Sequence, residues 1–162
     1  MIKVTFQTLE EVEDSRLKFA VIAARYHDRW IFCRHKERTT WEIPGGHREP
    51  DEPIEDTAKR ELYEETGAIK FQIHPICIYG VTRTEGAVPA PNQHSANGAP
   101  ASAPTTYGML FFAEVANLDS LPEEFEIKEL QFADKLPQNL TYPEIQPYLY
   151  EKTTQWLQEK DL

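Results

Sequence analysis

The chain contains 162 residues, a length that predicts a single domain, residues 1–162, with a substantial hydrophobic core. Its 27 acidic and 17 basic residues give a formal net charge of −10, which argues against binding nucleic acid through a broad basic surface but not against a short anionic substrate. No signal-peptide pattern and no run of 18 apolar residues occurs, so we expect a soluble cytoplasmic protein without membrane partners.

Runs of apolar, β-branched and aromatic residues predict six strands. In chain order they cover residues 2–7, 17–25, 30–34, 69–79, 107–115 and 129–132, with a turn at 27–29. Cys33 and Cys77 fall within such runs, which predicts two reduced core cysteines rather than a disulfide. Pro44, Gly45 and Gly46 predict a tight turn with close backbone approach.

The segment that follows this turn carries the signals of an α-helix. Pro53 suits a first helical turn, acidic residues after it suit the helix dipole, and Gly67 is placed to end the helix. Ile54, Ala58 and Leu62 recur every four residues and give an apolar stripe. One side of the helix can therefore pack on a core while the neighbouring side faces solvent or a ligand.

A long segment between the predicted strands, residues 85–106, contains four prolines and no Asp, Glu, Lys or Arg beyond Glu85. A loop of this length is uncommon in a compact domain. We predict a mobile tip of a surface hairpin; the alternative is a lid or an arm that contacts a substrate or partner near the site.

A second helix is predicted from Pro143 to about Lys160. Its buried face comprises Ile145, Leu149, Trp156 and Leu157. Strands flanked by two helices predict an α+β protein with a mixed β-sheet between helices, an α/β/α sandwich.

Three glutamates of the first helix, Glu61, Glu64 and Glu65, lie within five positions. Spacings of three and four place their side chains on one stripe, where like charges repel by a few tenths of a kcal/mol per pair. A structural helix gains nothing from this repulsion, whereas Mg²⁺ and Mn²⁺ prefer carboxylate oxygens as ligands. The stripe therefore predicts a divalent-cation site.

Residues 46–67 resemble the Nudix box: a glycine, five residues, a glutamate, seven residues, Arg-Glu, an aliphatic residue, any residue, Glu-Glu, any residue, glycine, then an aliphatic residue. The matching positions are Gly46, Glu52, Arg60, Glu61, Leu62, Glu64, Glu65 and Gly67. The one departure is Ala68, where Ile, Leu or Val is usual, and this position packs rather than reacts. The resemblance implies the Nudix fold, which is an α/β/α sandwich, and hydrolysis of a nucleoside diphosphate linked to another moiety.

The resemblance also implies roles for individual residues. Glu61, Glu64 and Glu65, with the carbonyl of Gly46, are the expected ligands of Mg²⁺ or Mn²⁺; Glu52 and Arg60 are expected to assist catalysis. Apart from the resemblance, basic residues at a strand end facing the metal site are suited to hold phosphate, so Arg34, with Lys36 and Arg38 as further candidates, and the backbone of Gly45 and Gly46 are expected to contact the substrate. The general base remains open between Glu129 and Glu126, in a late stretch similar to the Glu-x-x-Trp element of the family, with Phe132 in place of Trp.

The leading functional interpretation is a Mg²⁺-dependent pyrophosphohydrolase that converts a nucleoside triphosphate to monophosphate and pyrophosphate, by similarity to small diphosphatases proposed to remove oxidised guanine nucleotides. The alternatives are cleavage of ADP-ribose or a nucleotide sugar, and removal of pyrophosphate from a 5′-triphosphorylated RNA end. A Nudix-like binding or sensor domain without activity is disfavoured because such domains usually lose box carboxylates. The expected partner is a small nucleotide, and either a monomer or a homodimer is compatible with the sequence.

Overall fold

A computed structural model describes residues 1–84, 104–121 and 124–162 of the chain. Its strands and helices, in chain order, are β1 Ile2–Gln7, β2 Leu17–Tyr26, β3 Arg29–His35, β4 Gly45–His47, α1 Ile54–Thr66, β5 Ala68–Arg83, β6 Thr105–Leu118, β7 Ile127–Ala133 and α2 Gln146–Lys160. Each of the six predicted strands is present, and all but the first extend beyond the predicted range. Most of the predicted loop, residues 85–103, lies outside the described residues.

The strands form one mixed sheet in the order β1-β5-β6-β2-β3-β7, and β4 pairs with β2 beside this path. β2 and β6 are parallel, whereas the neighbouring pairs are antiparallel. The turn between β2 and β3 places His27 and Asp28 at positive φ, 51° and 65°, as a tight hairpin between right-twisted strands requires.

The core has two layers, one on each face of the sheet. Ala20 and Ile22 of β2 point into the layer that contains Ala58 and Leu62 of α1. Ala23 of β2 points into the opposite layer, which contains Leu149 and Leu157 of α2. Alternate residues of a strand thus bury against different helices, as the period of two dictates. The predicted α/β/α sandwich with a mixed sheet is confirmed.

Strands β2 and β3 diverge soon after their hairpin. Their paired residues are Arg25 with Trp30 and Tyr26 with Arg29. Further along, β2 pairs with β4 and β3 bridges to Glu42 instead. The sheet is therefore open between β2 and β3, on the side where α1 packs against β2 and β4.

Two local predictions were wrong. The second helix begins at Gln146 rather than at Pro143, because the N–H groups of Ile145 and Gln146 both bond to the carbonyl of Tyr142 and close a turn first. The proline in the first helical turn is Pro147. Gly45 and Gly46 form strand β4 rather than a turn, since they pair with Val21 and Ala20 of β2.

No helix within the described ranges is long and apolar enough to span a membrane.

Candidate active site

Helix α1 carries an apolar stripe and an acidic stripe side by side. Ala58 and Leu62 are fully buried in the core. Glu61 and Glu65, one turn apart, line a cleft on the other side of the helix, and the side chain of Glu64 is 38% exposed. The helix ends as predicted, because Gly67 adopts the left-handed conformation and its N–H donates to the carbonyl of Tyr63.

The two glycines of β4 are needed because neighbouring atoms leave no room for a side chain, and neither has a positive φ. A methyl group on Gly46 would overlap the carboxylate of Glu61, and one on Gly45 would lie 2.6 Å from the carbonyl oxygen of Ala20. The N–H of Gly45 donates to Oε1 of Glu65 at 2.6 Å. The close approach predicted at this position is therefore present, and it seats two acidic side chains against the backbone of β4.

Arg60 connects three carboxylates of the acidic segment. Its Nε and Nη2 donate to the two oxygens of Glu52 at 2.8 and 3.0 Å. Its Nη1 donates to Oε1 of Glu61 at 2.8 Å and to Oε2 of Glu64 at 3.2 Å. Nη2 also reaches the carbonyl of His47. A planar guanidinium with five donors can hold this many acceptors at once, so Arg60 fixes the rotamers of its neighbours.

His35 lies between two buried carboxylates. Its Nε2 is 3.1 Å from Oε1 of Glu42 and 3.0 Å from Oε2 of Glu65, yet neither oxygen lies in line with the N–H direction. The distances indicate an ionic contact shared between two acceptors rather than one well-directed hydrogen bond. Glu42, followed by Glu65, raises the pKa of His35 to about 10, and Arg38 contacts the second oxygen of Glu42 at 2.9 Å.

The carboxylates differ in their protonation behaviour. Burial, reinforced by repulsion from Glu65, raises the pKa of Glu61 to about 7. Burial also raises the pKa of Glu65, although His35 and the N–H of Gly45 oppose that effect. Hydrogen bonds from Arg60 lower the pKa of Glu52 to about 2. Burial therefore disfavours the charged forms of Glu61 and Glu65, whereas Arg60 keeps Glu52 ionised.

The cleft has a volume of about 1090 Å³, slightly above the roughly 300–1,000 Å³ typical of small-molecule sites. Both charged and apolar side chains line it. The polar members include His35, Glu42, Gly45, Gly46, His47, Arg48, Arg60, Glu61, Glu65, Arg83 and Glu126. The apolar members include Val21, Ile43, Tyr79, Val81 and Leu149. Because the sheet is open between β2 and β3, residues from α1 and residues of the α2 face meet in one cavity.

A model of the NUDIX domain matches residues 14–152, which is most of the chain. The chain belongs to the Nudix family. The box of this Nudix domain spans β4, α1 and the residues between them, so the motif and the acidic cleft coincide.

Relatives of this Nudix chain include YtkD of Bacillus subtilis (strain 168), provisionally named an 8-oxo-dGTP diphosphatase, at 27% identity over 124 residues. That match covers 76% of this chain and 66% of YtkD. A human protein, nucleoside diphosphate-linked moiety X motif 6, is 56% identical over 34 residues, 21% of this chain and 11% of its own length. The chain thus spans just under two thirds of the bacterial relative and about a tenth of the human one.

The crystal structure of the Bacillus subtilis pyrophosphohydrolase BsRppH superposes with a TM-score of 0.69 at 21% sequence identity. The superposition covers 95% of this chain and 90% of that one. At 21% identity, the similarity shows a shared fold and does not show a shared substrate.

The structure brings most of the predicted site residues to the Nudix cleft. Those that line it are Gly45, Gly46, Arg60, Glu61 and Glu65. Glu52 and Glu64 are joined to this group through Arg60.

Two predicted residues lie apart from the acidic group. Arg34 and Glu129 are opposite each other on β3 and β7, and Nη2 of Arg34 contacts Oε1 of Glu129 at 3.0 Å. Neither lines the cleft, whereas Glu126 does and lies 3.8 Å from Nδ1 of His35.

His35 and Glu42 are site residues that the sequence analysis missed. Both face the cleft, and Glu42 is only 6% exposed. Their contact depends on the bridge between Cys33 and Glu42, and the contact with Glu65 spans the open part of the sheet. The one local signal is the glutamate directly before Ile43-Pro44-Gly45-Gly46, because an acidic residue in an apolar segment needs a partner.

The acidic stripe fits a hard divalent cation. Glu61, Glu64 and Glu65 supply carboxylate oxygens, and burial raises the pKa of Glu61 and of Glu65, an effect that a bound cation would oppose. Within the described part of the chain, Cys33, His35 and Glu65 also bring ligand atoms within 4.8 Å of one another. Burial holds the pKa of the Cys33 thiol well above its usual value, so this sulfur is a poor metal ligand.

Proposed function

We propose that this chain is a divalent-cation-dependent Nudix pyrophosphohydrolase that hydrolyses a nucleoside triphosphate to the monophosphate and pyrophosphate. The observation that carries the proposal is that Glu61 and Glu65 of the acidic stripe line, together with Gly45 and Gly46, a cleft of about 1090 Å³ that also has apolar walls. The similarity to YtkD favours a triphosphate, including an oxidised purine nucleotide, as the substrate.

In this proposal Glu61, Glu64 and Glu65, with the backbone carbonyl of Gly46, hold Mg²⁺ or Mn²⁺. When bound, the cation would neutralise phosphate oxygens and ease the ionisation of an attacking water. Arg60 keeps Glu61 and Glu64 in place and holds Glu52 as an ionised partner. The rigid attachment of the carboxylates to one helix reduces the reorganisation needed during the reaction.

A general base is required to accept the proton of the attacking water. Of the two candidates, Glu126 is favoured over Glu129 because it lines the cleft, its side chain is 88% exposed and its contact with Nδ1 of His35 is long, at 3.8 Å. Glu129 is engaged by Arg34. The cleft also offers a cation for the substrate phosphates, since Arg83 lines it and has no ion-pair partner among the described residues. Arg34 is a less favourable phosphate ligand than Arg83, because Arg34 is paired with Glu129.

The deciding experiment is a substrate panel with Mg²⁺ and identification of the products. It contains nucleoside triphosphates, 8-oxo-dGTP, ADP-ribose, a nucleotide sugar and a 5′-triphosphorylated RNA, with Glu64→Gln as the inactive reference. We expect release of pyrophosphate from one or more triphosphates. Preferential cleavage of the sugar or RNA substrates would replace the proposed substrate class, and no Mg²⁺-dependent turnover of any substrate would favour a binding domain.

A further inference from the structure

Gln146 is a buried polar residue that the proposed reaction does not use. It is the first residue of α2, it is 5% exposed, and it lines the cleft. Its Oε1 accepts a hydrogen bond from the backbone N–H of Ile43 at 2.8 Å. A backbone N–H can only donate, so the carboxamide oxygen faces Ile43 and the nitrogen Nε2 lies on the opposite side of the planar amide. The fold therefore fixes the orientation of this amide.

The Nε2 group has donors to offer to a ligand. Within the described ranges, the bond to Ile43 is the one hydrogen bond of this side chain. Nε2 has no partner in the part of the chain that the structure describes and is not fully buried, so an acceptor in the cleft can reach it. A ligand acceptor in the cleft would replace water at this donor, and a ligand without an acceptor there would displace the water and leave the donor unpaired.

The cleft that Gln146 lines also has apolar walls against which a flat ring could pack. Val21, Ile43, Val81 and Leu149 line the same cleft, and none of them can form a side-chain hydrogen bond. A donor of fixed orientation discriminates between ligands, because a bound ligand that presents another donor displaces water and leaves both groups unpaired. Among nucleobases this distinction separates those with a carbonyl at C6 of a purine or C4 of a pyrimidine from those with an amino group at that position.

We propose that Gln146 is a specificity residue that donates a hydrogen bond from Nε2 to the exocyclic carbonyl of a keto base. The cleft then favours guanine, hypoxanthine and uracil nucleotides over adenine and cytosine nucleotides. O6 of guanine and O4 of a pyrimidine accept hydrogen bonds, whereas the amino groups of adenine and cytosine donate them. This inference rests on the proposed function, because it requires a nucleotide in the cleft.

The test compares kcat/KM for ITP and ATP, which differ at the six-position edge of the purine, and for UTP and CTP. We expect wild-type protein to prefer each keto substrate by at least about tenfold, as the loss of one buried hydrogen bond implies. Gln146→Glu keeps an acceptor for the N–H of Ile43 and replaces the donor by an acceptor, so the preference should reverse. Gln146→Leu should bring both ratios close to one.

Gln155→Leu serves as the matched control, since Gln155 lies on the same helix and is exposed; its ratios should equal those of the wild type. Equal rates for ITP and ATP in the wild type, or an unchanged preference in Gln146→Glu, would overturn the proposal. If Gln146→Leu fails to fold because the N–H of Ile43 is left unpaired, Gln146→Glu decides the outcome alone.

A failure of the proposed function is separable from a failure of this inference. If no triphosphate is hydrolysed, calorimetric binding of IMP and AMP measures the base preference without turnover. If the wild type binds IMP more tightly than AMP and Gln146→Glu binds AMP more tightly than IMP, the role of Gln146 holds for a binding protein. Equal affinities for the two monophosphates would refute it.

Discussion

The three box glutamates are held in different ways, and this decides how each variant should behave. Glu65 accepts the N–H of Gly45 and contacts His35, whereas Glu61 and Glu64 share Nη1 of Arg60. Replacement by glutamine keeps the shape of the side chain and removes the charge that a divalent cation needs.

We expect Glu64→Gln and Glu65→Gln each to lower kcat at least about a hundredfold at saturating Mg²⁺, because charge stabilisation centred on the metal is lost. Steady-state kinetics on the best substrate measure the effect. Glu55→Gln is the control, since Glu55 is an exposed residue of the same helix and pairs only loosely with Lys59 at 3.6 Å. A near-wild-type rate in the Glu64 or Glu65 variant would show that the substituted glutamate is not a ligand of the metal.

The neighbouring glycines allow activity to be separated from stability. In Gly46→Ala the new methyl group would meet the end of a flexible side chain, Glu61, so the carboxylate should move while the fold persists. We expect kcat/KM to fall at least about tenfold, because misplacement of a reacting group by about 1 Å is costly. In Gly45→Ala the methyl group would meet backbone atoms of Ala20 and Val21, so urea denaturation should show the larger loss of unfolding free energy. The reverse ranking of the two variants would be inconsistent with this packing.

The low pKa of Glu52, about 2, predicts a contribution to acid stability. A carboxyl whose folded pKa is depressed stabilises the protein above its unfolded pKa, near 4.5, and loses that contribution as the pH falls toward 2. Wild-type protein should therefore lose stability between pH 5 and pH 3 more steeply than Glu52→Gln, measured by urea denaturation at each pH. Parallel curves for the two proteins would mean that the Arg60 contacts add nothing to folding.

The box residues were predictable from the sequence because the motif is local: its spacing places Glu61 and Glu65 on one side of a helix whatever the rest of the fold does. His35 and Glu42 were not predictable, because their contact depends on how separate strands diverge. Arg34 and Glu129 illustrate the same limit, since pairing of β3 with β7 places them opposite each other.

At the scale of elements, the end of α1 depends on one residue. Gly67 has φ of +80°, and a methyl group there would overlap the carbonyl oxygen of Asp119, whose N–H bonds to the carbonyl of Gly67. Gly67→Ala should therefore destabilise the protein by at least about 2 kcal/mol, since left-handed strain alone costs about 1–2 kcal/mol. Urea denaturation measures this, with Lys59→Ala at an exposed site of the same helix as control. A loss below about 0.5 kcal/mol would show that the cap is dispensable.

Element boundaries were harder to predict than the elements themselves. β5 continues to Arg83 because its last residues pair with β1 on one side and β6 on the other. β4 was missed because two glycines look like a turn, and only the pairing with β2 shows that they serve as a narrow strand. Pro143 suggested the start of α2, yet the turn closed by Tyr142 delays the helix to Gln146.

At the scale of the whole molecule, the two buried cysteines report on how tightly the interior is packed. Cys33 and Cys77 are buried free thiols, 0% and 6% exposed, and burial raises the pKa of each. Both should resist an aromatic disulfide reagent in the folded protein and react after denaturation, because the thiolate is the reactive form. Spectrophotometric thiol counting with and without denaturant tests this. Rapid reaction of either thiol under native conditions would indicate that the packing around that cysteine opens by local unfolding.

The sandwich as a whole followed from strand and helix patterns, and the family from the box. The opening of the sheet between β2 and β3 did not, because strand divergence is set by tertiary packing rather than by any local pattern. That opening is what joins the acidic stripe of one layer to the apolar walls of the other.

The acidic residues of the cleft and its apolar walls come from different elements, and this separation has an evolutionary consequence. Glu61, Glu64 and Glu65 are anchored by α1 and β4, whereas Val81, Gln146 and Leu149 come from β5 and α2. Mutations that reshape the second set need not disturb the first, so a lineage built on this scaffold can acquire new substrate preferences in small steps while its reactive machinery is inherited unchanged.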